Sequence, residues 1–300
     1  MDKKILAIYY TQSGQMGEII DAFTAPLVDA GNSVETVVVK TVKDYNFPWT
    51  GSTFFSVMPD CVLSVPTPLY PLNFKEEKYD LIILGYQPWF LSPSIPTNSL
   101  LQDEGFKTVL KDTPVVTISA ARNMWINAYV RVRASLKEAG AKLVGNVALV
   151  DKHPNVVSFV TIFYWMLSGK KKRYLNVFPK PGVDEQDIAN TKTFGETVSR
   201  HLANNTLDSL QDELLEQKAV VIKYPLMFTE ARAKPIFAVW AKIISKRKNQ
   251  QPWLTTFKYY LFIALFLGAP VLLTLDAVFI KPFFDRRIQA KKIKYLQVNN

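Results

Sequence analysis

The sequence predicts an α/β fold in which a doubly wound, five-stranded parallel sheet is followed by a helical C-terminal extension. Apolar, strand-like runs alternate with helical patterns over residues 3–151, as expected of βαβ units. These runs lack the strict alternation of a sheet with one wet face, which indicates strands that are covered on both sides. A helical pattern at residues 184–203 begins with acidic residues and is expected to close the layered domain.

The predicted elements follow in chain order. Strands are predicted at residues 5–10, 34–39, 79–86, 114–119 and 142–150. Helices are predicted at residues 17–30, 126–139 and 184–203. Gly31 and Gly140 follow the first two of these helices and are expected to end them. Residues 45–71 are rich in proline, serine and aromatic residues, which predicts an insertion or wrapping loop between the second and third strands.

This pattern divides the chain into two parts. We predict a domain at residues 1–205 and a helical extension at residues 206–300, with an apolar segment at residues 259–280. An insertion at residues 152–183 interrupts the domain and contains the apolar run VVSFVTIFYWML. Because that run is about twelve residues long, it is too short to cross a bilayer. It could cover the functional site or form a satellite helix of the core.

Charge is distributed unevenly along the chain. The net charge is +10, yet residues 231–300 carry thirteen Lys or Arg and two acidic residues. The remaining residues are therefore close to neutral, which argues against a nucleic-acid-binding core domain. The single Cys61 excludes an internal disulfide framework, and the short apolar run after Lys4 does not fit a secretory signal. We expect a cytoplasmic protein without nucleic-acid partners and without a metal site.

The C-terminal segment has the composition of a membrane-associating element. Residues 259–275 contain no charged side chain, and basic residues flank them on both sides. Gly268-Ala269-Pro270 interrupts the middle of this stretch. We predict a monotopic helical hairpin or an interfacial helix on the cytoplasmic face of the inner membrane. The alternative is a core helix packed on the domain.

The first predicted strand ends in a cluster of small polar residues, TQSG, directly before a helix. A helix N-terminus at the edge of a parallel sheet presents free N–H groups and a partial positive charge, which favours an anion. Thr11 and Ser13 can add hydroxyl donors, and Gly14 permits close approach of the backbone. The loop has no lysine and no G-x-G-x-x-G pattern, which disfavours P-loop and dinucleotide sites. Flavin mononucleotide (FMN) suits a phosphate site of this kind.

The loop also resembles the phosphate loop of flavodoxin-like proteins, which has a hydroxyl-x-hydroxyl-Gly-x-hydroxyl pattern. Met16 departs from that pattern because it replaces the last hydroxyl. The resemblance implies a flavodoxin-like fold and an FMN phosphate held by Thr11, Gln12, Ser13, Gly14, Gln15 and Met16.

The loops after the third and fourth strands are expected to hold the flavin ring, because ligands of such folds lie beyond the carboxyl ends of the strands. The candidates are Gln87, Pro88, Trp89 and Phe90 in the first loop, and Ala120, Ala121, Arg122 and Asn123 in the second. Trp89 and Phe90 could stack on the ring or pack against the insertion. Arg122 could balance the charge of a reduced flavin or be a solvated residue at a helix start.

The IYYTQSGQ opening, the ARNMW loop and the apolar, basic tail together resemble the flavodoxin-like protein of bacterial dialkylresorcinol and flexirubin-type pigment pathways. That resemblance implies a partner ketosynthase that joins two fatty β-keto acyl units. It implies that this chain oxidises the resulting dialkylcyclohexanedione to an aromatic dialkylresorcinol. The expected partners are therefore a lipidic cyclohexanedione, a ketosynthase and the membrane surface.

The residues bear on which reaction the chain performs. Condensation requires an activated cysteine, and the only one is Cys61, which we interpret as a packing residue. Aromatisation requires a base, and His153 directly after the fifth strand is the candidate, ahead of Tyr86 and Tyr129. An NAD(P)H:quinone-type flavin reductase and a non-catalytic membrane scaffold for the ketosynthase remain as alternatives.

Overall fold

A computed structural model describes residues 2–298, except for the side chain of Ile280, and contains the predicted parallel sheet. Its strands are β1 (Lys4–Tyr9), β2 (Ser33–Val38), β3 (Leu81–Tyr86), β4 (Pro114–Ala121) and β5 (Lys142–Val150). The sheet order is β2-β1-β3-β4-β5, and all four pairings are parallel. This is the flavodoxin-like strand order, so the predicted fold is confirmed.

Helices cover both faces of the sheet. The helices of the domain are α1 (Gln15–Asp29), α2 (Gly51–Ser56), α3 (Met58–Leu63), α4 (Ile95–Leu100), α5 (Glu104–Leu110), α6 (Ile126–Glu138), α7 (Asn155–Ser168) and α8 (Glu185–Ala203). Helices α1 and α8 bury apolar residues on one face, and α5 and α6 do so on the other. At Gly195 of α8 an added Cβ would lie 2.0 Å from the carbonyl oxygen of Phe23, so only glycine allows this close approach of α8 to α1.

The segment after α8 covers the open edge of β5. Helix α9 (Leu210–Glu216) packs there, and Gln211 Oε1 accepts a hydrogen bond of 2.8 Å from the Asn146 backbone N–H. Farther along, the Ala148 N–H donates to the carbonyl of Ala219 at 2.9 Å. These bonds pair groups that an edge strand would otherwise leave open. The domain boundary at residue 205 stays a prediction.

The C-terminal extension consists of long helices. They are α10 (Tyr224–Ser245), α11 (Gln251–Ile263), α12 (Ala269–Leu275) and α13 (Lys281–Leu296), with π-helical turns at Ala264–Gly268 and Asp276–Ile280. Residues 251–279 form one continuous helix that is long and apolar enough to cross a membrane by length and composition, and its most apolar 18-residue stretch has a mean hydropathy of 2.2. The predicted hairpin at Gly268-Ala269-Pro270 is wrong. A π-helical turn directly before α12 and the place of Pro270 in its first turn let the helix continue past the proline.

The C-terminal rod, defined as residues 251–296, is kinked at Phe284, and both of its ends contact other parts of the protein. Near its start, Leu254 and Phe257 pack with Phe55 of α2 and Phe237 of α10. Near its end, Gln211 Nε2 donates to the Leu296 carbonyl at 2.9 Å. The rod therefore lies along the protein surface instead of projecting away from it.

The outward side of the rod is apolar and exposed. We call this side the outer ridge and define it by Ile263, Leu267, Val271, Leu275, Val278 and Phe279. Apart from the adjacent Val278 and Phe279, spacings of three and four residues place these side chains along one side of the helix. Leu267 is 65% exposed and Phe279 is 66% exposed, although both are strongly apolar. A contiguous exposed apolar surface of this kind is typical of an interaction with a partner or a membrane.

Candidate functional site

The loop between β1 and α1 leaves the N-terminus of α1 open. Gly14 adopts a left-handed conformation with φ of +88°, and its N–H donates to Thr11 Oγ1 at 3.1 Å. No side chain caps α1, and a Cβ added at Gly14 would meet nothing within 4 Å. Ser13 is exposed beside it. The first N–H groups of the helix and the Thr11 and Ser13 hydroxyls therefore surround a space suited to an anion.

Three other side chains of this loop support its shape. Gln12 Nε2 donates to the Tyr45 carbonyl at 3.2 Å, which ties the loop to the segment after β2. Gln15 is buried and exchanges two hydrogen bonds with the backbone of Val183. Met16 is buried beneath the loop, and its Sδ would lie 2.9 Å from a Cβ added at Gly85 of β3. The missing hydroxyl at position 16 is therefore replaced by an apolar contact with the sheet.

The loop after β3 contains the predicted Gln87, Pro88, Trp89 and Phe90. Trp89 lies edge-on to three aromatic rings, with centroid separations of 6.1, 5.4 and 5.0 Å to Tyr10, Tyr45 and Trp49. Phe90 packs on Phe54 at 4.8 Å. These contacts match the packing role considered for Trp89 and Phe90, and stacking on a flavin stays a prediction. Gln87 Oε1 is buried without a hydrogen-bond partner, so it is an unsatisfied acceptor at this loop.

The loop after β4 forms a polar cluster with the start of α7. Arg122 Nη1 donates to the backbone carbonyl and to Oδ1 of Asn155, both at 2.9 Å. Asn123 Nδ2 also donates to Asn155 Oδ1, at 3.0 Å, whereas Asn123 Oδ1 is buried and unpaired. Burial lowers the pKa of Arg122 to about 10, and the nearby Asp151 carboxylate opposes that shift. Arg122 therefore keeps its charge at neutral pH. Ala120 and Ala121 end β4 just before this cluster.

Helix α7, formed by the predicted insertion, lies over the carboxyl ends of the strands. Arg122 holds its start through Asn155. Near its end, the Met166 carbonyl accepts a hydrogen bond of 2.8 Å from the backbone N–H of Trp49. Its buried residues are Ser158, Thr161 and Trp165, at helical spacing. Ser158 Oγ is buried and has no partner. The helix therefore forms a roof whose inner side carries hydroxyls and one indole.

The outer side of α7 faces the C-terminal rod. Phe159 and Phe163 stack at 5.6 Å, and both meet Phe262 of α11 edge-on. Helix α7 thus lies between part of the strand-end edge and the apolar rod. The periodicity of its aromatic residues reflects this outer contact, and its polar inner stripe was not recognised in the sequence.

The residues at the strand ends fit the predicted FMN. The open N-terminus of α1 can accept a phosphate group without a cationic side chain. Gln87 Oε1 and Asn123 Oδ1 are unpaired acceptors, as required by the N–H group of a flavin ring. Among the described residues, Thr11, Ser13, Gln87 and Asn123 could hold the cofactor directly, while Gln12, Gln15 and Met16 hold the loop. The cofactor would supply a two-electron redox centre.

The predicted base, His153, is exposed and lies just beyond β5. Its backbone N–H donates to Asp151 Oδ1 at 2.9 Å. It lines a cleft of about 1130 Å³ that also includes Asn123 and Asp151. Its catalytic role stays a prediction. Asp151 was missed in the sequence, although a carboxylate directly after the apolar run of β5 is a recognisable signal; it is 1% exposed and its Oδ2 is unpaired.

The other candidate side chains are deeply buried. Cys61 Sγ donates to the carbonyls of Trp89 and Pro93 at 3.1 and 3.3 Å, and burial raises the pKa of its thiol. A thiol with a raised pKa is a poor nucleophile, which supports its packing role. Burial also raises the pKa of Tyr86 and raises that of Tyr129 to about 12. Both phenols are therefore protonated at neutral pH and cannot serve as bases in that form.

Comparison with solved structures found flavoproteins and flavodoxins. A flavoprotein from Lactobacillus acidophilus in complex with FMN superposes on 49% of this chain and 93% of its own, at 19% identity and a TM-score of 0.41. Flavodoxin 2 from Bacillus cereus covers 67% of this chain and 99% of its own, at 16% identity and a TM-score of 0.35. A flavone reductase covers 67% and 64%, at 11% identity and a TM-score of 0.37.

No protein-family model and no curated protein sequence matches the chain. Structural likeness at these identities and scores assigns neither a ligand nor an activity. The class of the protein therefore rests on its own topology: it is a flavodoxin-like α/β protein with a roof helix and an apolar C-terminal rod.

Proposed function

We propose that this protein is an FMN-dependent oxidoreductase that aromatises a lipidic dialkylcyclohexanedione to a dialkylresorcinol, as in the biosynthesis of flexirubin-type pigment lipids. The observation that carries the flavin assignment is the uncapped α1 N-terminus at Gly14, set at the end of β1 in a 2-1-3-4-5 sheet. The unpaired Gln87 and Asn123 oxygens beyond β3 and β4 support it.

The exposed apolar outer ridge is an argument for a lipidic substrate. Basic residues lie at both ends of the uncharged stretch, among them Lys258, Lys281 and Arg286. An exposed apolar face combined with cations suits the cytoplasmic surface of an anionic membrane. A substrate with two alkyl chains partitions into that surface at about 0.8 kcal/mol per buried CH₂, so an enzyme docked there meets its substrate at high local concentration.

Aromatisation removes two hydrogens from the six-membered ring of the substrate. When bound, FMN would supply the two-electron acceptor for one of them as a hydride, and a base of the protein would take the other as a proton. The charged Arg122 stabilises an enolate oxygen formed when the acidic proton is lost. Asp151, which interacts with Arg122, and His153, which lines the same cleft as Asn123, are the proposed proton acceptors.

Two alternatives predict different behaviour. An NAD(P)H:quinone-type reductase would use the same flavin site and take its hydride from a nicotinamide. A non-catalytic scaffold would use the outer ridge to bring a partner ketosynthase to the membrane and would need no flavin. The buried polar atoms left unpaired at the strand ends favour a ligand there, and hence the enzyme.

The decisive experiment is the visible spectrum of the full-length, detergent-purified protein loaded with FMN under nitrogen. Addition of a dialkylcyclohexanedione is expected to bleach the flavin band, and air should restore it. Bleaching by NADPH and quinone turnover, with no effect of the dione, would select the reductase. Failure to retain a chromophore after FMN is supplied would favour the scaffold.

A further inference from the structure

A second cavity lies between the strand-end loops and the C-terminal helices. Its volume is about 460 Å³. Its inner end is formed by Pro88, Arg122 and Met124 from the loops after β3 and β4. Ile263 and Leu272, both about half exposed or more, line its other end on α11 and α12. The cavity therefore joins the predicted flavin site to the side of the protein that carries the outer ridge.

The lining of this cavity is almost entirely apolar. Where α10 faces α11 and α12, short residues such as Ala233, Ala264 and Gly268 leave the space between the helices unfilled. Aromatic residues, including Phe90 and Phe159, close its sides. An apolar groove of this size, with a few polar groups at one end, is typical of a small-molecule site.

Arg122 places a positive charge at the inner end of the cavity, which would orient an amphiphilic ligand. Both of its hydrogen bonds to Asn155 leave from Nη1, so its Nε and Nη2 groups make no hydrogen bond to another described residue. The other cation of the lining, Arg232, is exposed and lies on the ring of Phe228, with its Cζ 3.3 Å from the centroid. Although Asp151 lies near Arg122 and its guanidinium lies over the Phe159 ring, these donors remain open to an oxygen acceptor. An acidic oxygen is therefore expected at the inner end, with an apolar chain that extends from it towards the bilayer.

We infer that this cavity binds one unbranched alkyl chain of an amphiphile whose acidic, enolic head lies at Arg122. The inference rests on the proposed function for the identity of that head group. The chain would enter from the bilayer at Ile263 and Leu272, and its length would determine how much of the cavity it fills. A second alkyl chain, if present, would lie outside this cavity.

Calorimetric titration tests the chain site independently of catalysis. The probes are 2-alkylcyclohexane-1,3-diones with chains from ethyl to dodecyl, added to the full-length protein with and without FMN. The affinity is expected to rise about fourfold per added CH₂ until the cavity is filled. Gly268→Phe should abolish this rise, because an added Cβ at Gly268 has no atom closer than the Ile263 carbonyl oxygen at 3.9 Å and the ring can occupy the space.

Matched variants separate the cavity from the outer ridge. Val271→Phe adds the same group on the exposed side of α12 and should keep the full chain-length dependence. Ala233→Leu fills the opposite wall on α10 and replaces Gly268→Phe should that variant fail to fold. Affinity that does not depend on chain length, or a dependence that persists equally in the cavity-filling variants, would overturn the inference.

Flavin bleaching by the ethyl dione under nitrogen reports on the proposed function alone, since that probe barely enters the cavity. Bleaching without any effect of chain length on affinity would leave the redox function standing and remove the chain site. Chain-length dependence without bleaching by any dione would support the chain site and overturn the redox function.

Discussion

Gln15 and Val183 exchange two hydrogen bonds of 3.2 Å each: the Gln15 side-chain amide donates to the Val183 carbonyl, and the Val183 N–H donates to Gln15 Oε1. Both residues are buried. This pair joins the first turn of α1 to the chain that enters α8. It fixes the open end of α1 through a side chain that does not need to touch the ligand.

Replacing Gln15 by leucine should destabilise the protein by about 2 kcal/mol, because the buried backbone groups of Val183 lose their partners. FMN affinity should fall as well, since the loop loses its anchor. Chemical unfolding of the FMN-free protein measures the first effect, and flavin fluorescence titration measures the second. Gln186→Ala, which removes an exposed hydrogen bond on α8, is the control and should change stability by less than about 0.5 kcal/mol. Equal stability of the two variants would contradict the anchor role.

The two ends of α1 offer a comparison for the phosphate loop. Gly14 and Gly31 both have positive φ, +88° and +84°, and a Cβ added at either meets nothing within 4 Å. Alanine at each position should therefore cost about 1 kcal/mol of stability from backbone strain. Only Gly14→Ala should also weaken FMN binding, because it shifts the N–H groups at the open end of α1. Equal FMN affinities of the two variants would argue against a phosphate at that end.

The sheet and its covering helices follow from local patterns, and the site follows only in part. Apolar runs and helical spacing are local, so β1 to β5 and α1, α6 and α8 lie within a few residues of their predicted positions. The loop after β1 was recognised because its small polar residues are contiguous. Asn155, by contrast, is far from Arg122 along the chain, and its contact depends on how α7 crosses the strand ends.

The aromatic residues of α7 show why the roof was not predicted in detail. Phe159 and Phe163 dominate the composition of the insertion, and the nearby Ser158 and Thr161 resemble random interruptions of an apolar run. Their burial becomes apparent only when α7 is sandwiched between the strand ends and α11. The rod gave a similar difficulty, because Pro270 favours a break and the π-helical turn that precedes it has no sequence signal of its own.

Glu230 provides a pH-dependent link between α10 and the domain. Its carboxylate accepts hydrogen bonds from the Ile126 and Asn127 N–H groups at the start of α6, at 3.3 and 2.5 Å. Burial nevertheless raises its pKa from 4.5 to about 7. Because the folded pKa is raised, its contribution to stability is fully present below about pH 4.5 and is lost as the pH rises through about 7.

The difference in unfolding free energy between the wild type and Glu230→Gln should therefore depend on pH. Relative to the variant, the wild type should lose about 1.4 kcal/mol of unfolding free energy per pH unit between those two pKa values, and the difference should level off above pH 7. Urea unfolding of both proteins across this range measures it, and the glutamine variant serves as the isosteric control. Parallel curves would mean that Glu230 titrates equally in the folded and unfolded chains.

A variant of Cys61 can distinguish the proposed oxidation from a condensation reaction, because condensation would require this cysteine as its nucleophile. Its thiol is buried and bonded to two carbonyls, and burial raises its pKa, so it should not act as a nucleophile. Cys61→Ala should retain flavin bleaching by the dione, and native protein should resist alkylation by iodoacetamide. Mass spectrometry before and after denaturation reports the alkylation. Loss of product formation in a folded, FMN-loaded Cys61→Ala protein would revive the condensing role.

The outer ridge can be tested with vesicles. Leu267→Glu with Val271→Glu places two charges on exposed apolar positions of the rod without entering the core. If the ridge inserts into a bilayer, each change should lower vesicle binding about tenfold or more, because each removes one apolar side chain from lipid. Sedimentation with anionic phospholipid vesicles measures the loss. Val42→Glu with Val65→Glu changes two exposed valines between β2 and β3, away from the rod, and should leave binding intact. Raised salt should weaken the wild-type interaction, since cations such as Lys281 and Arg286 flank the ridge.

If both double variants bind vesicles as the wild type does, the rod is a surface helix that does not contact lipid. The proposed entry of the alkyl chain from the bilayer at Ile263 would then be contradicted as well.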